Sequence, residues 1–177
     1  MYPKEYIKFL AHFHGDRDYF ECHEILEEYW KTTTKQAKDS IWVGFILLSV
    51  SLYHHRRNNF NGALKTIQKT IPIFTIHKAE LEKLGLSPDL FLDMVTSKQS
   101  EIRSGEPYRS MNLPIVDAIL LKKGIEICTQ QGMVWGKESD LTKDLLIHRH
   151  AKRDRTSVIE ERFNALQHRQ NKRSDSS

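Results

Sequence analysis

At 177 residues, with 39% apolar and 28% charged side chains, the chain is sized for one domain around one core. That composition excludes collagen-like, disulfide-framework and wholly disordered chains. The net charge of +4 is unevenly placed: from Lys143 onward nine Lys/Arg face five acids, so residues 1–142 are formally neutral.

The longest apolar run, Ile41 to Tyr53, is interrupted by Gly44, Ser49 and Ser51 and is too short to span a bilayer. The N-terminal residues lack the apolar core of a secretory signal, and Cys22 and Cys128 are too few for a disulfide scaffold. The expected setting is a reducing cytoplasm.

In chain order the periodicity is helical. Tyr6 to Phe13 sets Ile7, Leu10, Ala11 and Phe13 at helical spacing, and His14-Gly15-Asp16 ends the segment. Asp16 or Asp18 can cap a second helix that runs to Trp30 or Lys31, where three threonines stop it. Asp39 or Ser40 caps a third helix, apolar on nearly every side, which belongs in the middle of a bundle. Arg57-Asn58-Asn59 is a turn. A fourth helix opens at Phe60 and is expected to break at Pro72, with a further stretch from Phe74 to Leu84 ending at Gly85. Ser87-Pro88 starts the next helix, which closes at Ser104-Gly105.

Beyond that core, residues 1–104, the chain changes character. Pro107 and Pro114 make residues 105–140 an extended crossing segment, with a possible helix over Ile115 to Cys128. Residues 141–169 read as a basic helix and residues 170–177 as a disordered tail. No segment alternates with period two, so the expected class is all-α: stacked helical hairpins plus a basic C-terminal helix. An offset of 41 residues that lays Tyr19, Cys22 and Leu26 over Phe60, Ala63 and Ile67 supports the hairpin reading.

Chemistry concentrates on the second helix. His23 and Glu27 lie one turn apart within a stripe of Tyr19, Phe20, Leu26 and Trp30, while Glu21, Glu24 and Glu28 point outward. A carboxylate on an apolar face must be paired, protonated or bound, because burying it bare costs several kcal/mol. Two readings follow: a satisfied His–Glu pair in the core, or two ligands for one divalent ion. The His-Glu-x-x-His zinc pattern is absent, so a third ligand must come from elsewhere, with His54 and His55 at the end of the third helix the natural candidates. Simple hairpin register places His54 about 7 Å beyond His23, nearer Tyr19, so a cluster of His14, Asp16 and His54 is a rival and His55 stays open as a further member.

The segment Tyr19-Phe20-Glu21-Cys22-His23-Glu24-Ile25-Leu26-Glu27-Glu28-Tyr29-Trp30, then Leu52-Tyr53-His54 and Phe60-Asn61-Gly62-Ala63, resembles the family catalogued as domain of unknown function 309. The resemblance covers roughly residues 9–76. It implies packed helical hairpins and, from the family's label as predicted metal-dependent hydrolases, a site of His23, Glu24, Glu27 and His54. Tyr19, Trp30, Gly62 and Ala63 would be packing positions. Where the family often has glycine, this chain has Arg17 and Asn58 or Asn59, and asparagine tolerates a left-handed turn better than arginine.

The functional expectation is a binding or regulatory helical module with a polar His/Glu cluster in its core. Its basic C-terminal segment would meet an acidic protein or nucleic acid. The alternative is a metal-dependent hydrolase in which His23, Glu27 and His54 hold zinc or manganese and Glu24 or Glu27 activates water.

Overall fold

The computed structural model describes residues 1–34, 36–143 and 147. The basic helix and tail expected beyond residue 141 fall almost wholly outside the described residues.

Among the described residues seven helices follow in order: α1 (Lys4–His14), α2 (Tyr19–Thr33), α3 (Ile41–Arg56), α4 (Phe60–Ile76), α5 (Lys78–Lys83), α6 (Pro88–Arg103) and α7 (Ala118–Gln130). Among the described residues no strand forms; Leu86 and Ile115 make one isolated antiparallel bridge. The class is all-α, built from packed hairpins.

α3 is the axis of the bundle, between α2 and α4. Its apolar residues point in every direction because it meets neighbours on every side. Ile41, Phe45, Leu48 and Leu52 are fully buried or nearly so. Phe45 lies against Phe9 of α1, Phe74 of α4 and Phe91 of α6, with ring centroids 5.5, 5.0 and 5.7 Å away. Gly44 is required by this packing, since a Cβ there would sit 2.8 Å from the Phe74 ring. The 41-residue offset corresponds to equivalent roles: Tyr19, Cys22 and Leu26 of α2 and Ala63 and Ile67 of α4 are all fully buried.

Local signals set most boundaries. Asp18 caps α2 by accepting the Glu21 N–H at 3.0 Å, Ser40 accepts the Trp42 N–H, and Asn59 accepts the Gly62 N–H. Asn58 takes the left-handed conformation, with φ of 57°.

Two expectations are corrected. The threonine run does not stop α2 at Lys31; the helix includes Thr32 and Thr33, whose hydroxyls bond back to the Tyr29 carbonyl. Nor does Pro72 break α4. Proline costs the helix one backbone bond, but buried Phe74, wedged edge-on between Phe45 and Phe91, holds the next turn in line. The break falls at His77, whose ring bonds to Glu80 and to the carbonyl of Asp39.

The crossing segment is tied down before α7 begins. Lys98 reaches the carbonyl of Arg109 at 3.2 Å, Ser87 N–H donates to Pro114 O, and Val116 N–H donates to Gly85 O. α7 packs on α1. No described helix is long and apolar enough to cross a membrane.

Candidate functional site

α2 displays its chemistry because its two faces differ so sharply. Tyr19, Cys22 and Leu26, at helical spacing, are fully buried against the core. His23, Glu24 and Glu27 lie at the edge of that face, their side chains 26%, 34% and 33% exposed. The His/Glu cluster is thus not in the core, as its apolar neighbours suggested. The helix is rotated so that Cys22 takes the inner position and His23 rises to the rim beside Phe20, at a ring separation of 6.4 Å.

The three side chains converge. His23 Nδ1 lies 3.1 Å from Glu24 Oε1 and donates to it; in the tautomer with its one proton on Nδ1, Nε2 carries the lone pair. That nitrogen is 3.9 Å from Glu27 Oε2, while the other Glu27 oxygen meets Lys31 Nζ at 3.1 Å. One ligand-type atom from each of His23, Glu24 and Glu27 lies within 4.8 Å of the others, and among the described residues no other such group of three occurs. A shallow groove alongside is lined by Glu21, Glu24, Ile25, Glu27, Glu28, Lys31 and Thr32. A second, sharing Ile25 and Glu28, reaches Glu5, Lys8 and Tyr29.

His54 stands apart from that group. It is half-buried at the end of α3, where the Asn59 side-chain amide donates to its Nδ1 at 3.1 Å. Since the same Asn59 caps α4, His54 braces the α3–α4 turn. His55 is fully buried; its Nε2–H donates to Glu106 O at 2.8 Å, its Nδ1 has no partner, and burial lowers its pKa. Asp16 pairs with His12 at 3.2 Å. His14 donates from Nδ1 to Leu10 O and accepts the Leu113 N–H at Nε2, both at 2.9 Å.

The cysteines carry no reactive signal. Each is buried against a carbonyl of α1, Cys22 on Phe9 and Cys128 on Ala11, and burial raises both thiols, Cys128 to about 11.

What the residue pattern missed is a buried polar core behind α2. Arg17, at φ of 59°, is fully buried. Its guanidinium donates to the carbonyls of Phe13, Met111 and Lys137 and to Asn112 Oδ1, at 2.7 to 2.9 Å. Arg56 lies over the Tyr19 ring, 4.9 Å from its centroid, and bonds to Ser139. Tyr19 and Tyr108 share a hydroxyl–hydroxyl bond of 2.6 Å. The one signal in the sequence was Arg17 standing where the family often has glycine.

Comparison with known proteins agrees with the motif. The model of the family described as "Domain of unknown function (DUF309)" matches residues 6–66, which take in most of α1, α2, α3 and the start of α4. The chain is also 43% identical over 173 residues to the "Uncharacterized protein YpuF" of Bacillus subtilis (strain 168), covering 98% of this chain and 99% of that one. No solved structure gives a significant match. With this level of identity along nearly its whole length, the chain belongs to the domain of unknown function 309 family.

Proposed function

We propose that the protein is a helical binding module and that the outer face of α2 is its working surface. One observation carries the reading: His23, Glu24 and Glu27 form a convergent group at a half-exposed rim, on a helix whose other side is locked into the core. A rigid helix with an acidic rim around Ile25 suits a basic segment with one apolar side chain for the groove. The basic excess after Lys143, a property of the sequence, offers a second contact to an acidic protein or nucleic acid. Two free, buried cysteines fit a reducing cytoplasm.

The test is binding of a Lys/Arg-rich helical peptide to the full chain and to a Glu21→Gln, Glu24→Gln, Glu28→Gln variant. The variant should bind about tenfold or more weakly, and raising salt should weaken the parent toward it. Equal affinity for both proteins would exclude the α2 face.

A second reading is favoured by the 4.8 Å convergence: a divalent ion such as zinc or manganese, held by His23 Nε2 and a Glu27 oxygen. These residues fit as a partial, open ligand set. Glu24, bonded to Nδ1, would fix the imidazole orientation, as carboxylates beside metal-binding histidines do. Such an ion would supply Lewis-acid chemistry for hydrolysis. Metal analysis of untagged protein beside His23→Ala tests it; near-stoichiometric metal lost in the variant supports this reading, and equal metal in both contradicts it.

A further inference from the structure

Two stretches of the chain after α6, residues 111–113 and 133–139, are fastened to the corner between α1 and α2. We propose that His14 is the proton-sensitive catch of this strap, and that acid releases the strap from the corner while the helical core stays folded.

The catch engages the strap on three sides. Nε2 of His14 accepts the Leu113 N–H, so it must be unprotonated. The His14 carbonyl accepts the Gly136 N–H at 2.8 Å. The imidazole stacks on Trp135, with centroids 4.3 Å apart and planes 13° from parallel. Trp135 is seated in turn against Gly124 of α7, where a Cβ would lie 2.6 Å from the indole. Arg17 adds its bonds to Met111, Asn112 and Lys137.

A proton on Nε2 would put two N–H groups face to face and a cation in a buried site. Among the described residues, no carboxylate stands ready to receive it. Asp16 is engaged with His12, and Glu138 of the strap with the Ser110 N–H. Lys137 turns its carbonyl to Arg17, and α7 presents the Cys128 thiol to Ala11 O. The charge that faces the ring is Arg17, of like sign. Burial and that charge lower the pKa of His14 to about 4, though its bond to Leu10 opposes the shift. The ring therefore takes up a proton more readily once the strap has lifted. α3 meets the strap at its last turn, where Arg56 bonds to Ser139 and to the Arg17 carbonyl, whereas the middle of the helix packs through Phe45 on Phe9, Phe74 and Phe91.

Amide hydrogen exchange on the full chain, corrected for intrinsic rates, decides the matter. Between pH 6 and pH 4.5 the opening constants at Leu113 and Gly136 should rise roughly twentyfold, while Leu48 and Leu52 of α3 keep their protection. In His14→Gln, which keeps an acceptor at the same distance along the side chain but cannot titrate, the rise should vanish. Leu113 and Gly136 opening only together with α3, or the same rise in His14→Gln, overturns the proposal. Should the variant fail to fold, the His14 ring resonances of the parent protein decide: their titration must follow the opening, and a mismatch overturns it equally.

Discussion

Arg56 donates from Nη1 to the carbonyl oxygen of Arg17 at 2.7 Å, so one buried arginine is held by the backbone of another. The bond links the last turn of α3 to the corner before α2, and so fixes where α2 starts. Arg17 continues the chain of contacts into the strap.

Arg17 stands in a conformation that costs a non-glycine residue about 1 kcal/mol. Arg17→Gly removes that strain but strips donors from three carbonyls and from Asn112. Each buried acceptor left bare costs about 1–3 kcal/mol, so the loss outweighs the relief. Urea unfolding should show the variant about 2–4 kcal/mol less stable. A variant as stable as the parent would mean the guanidinium only fills space.

Gly124→Ala sets two small effects against each other. Alanine improves helix propensity by about 1 kcal/mol, whereas overpacking costs about 1–3 kcal/mol. The indole of Trp135 would be 2.6 Å from the new Cβ and is pinned on its other side by His14, so it cannot step back freely. Net destabilisation is expected, together with loss of the ring-current shift that Trp135 imposes on His14. A thermal scan and one proton spectrum check both.

His55 gives a pH dependence of defined sign. Its folded-state pKa lies below the ordinary histidine value, so the unfolded chain binds the extra proton first. Its contribution is fully present above about pH 6.5 and declines as the pH falls below that. His55→Gln, whose amide can still donate to Glu106 O, should lose less stability than the parent on going from pH 7 to pH 5. Parallel denaturant midpoints for the two proteins across that range would contradict the assignment.

Legibility in the sequence followed the range of the interaction. The α2 and α3 caps and the all-round apolar α3 were readable because each depends on residues a few positions apart. Pro72 misled because the contact that overrides it joins Phe74 to Phe45 and Phe91, distant in the chain. His23 was found, but its depth was not. The packing of Tyr19, Cys22 and Leu26 against the core, with Cys22 on Phe9, orients α2 so that His23 sits at the rim. The side-chain hydrogen bonds from Arg17 to Met111 and Lys137 and from Leu113 to His14 span 94 to 120 residues and left no local pattern to read.

The central claim is that the rim of α2 meets a partner. Amide chemical-shift mapping of the full chain against a Lys/Arg-rich helical peptide tests it most directly. The account predicts shifts concentrated on Glu21, Glu24, Ile25, Glu28 and Thr32, fading as salt is raised. Shifts confined to other helices, or none at all at millimolar peptide, would contradict it.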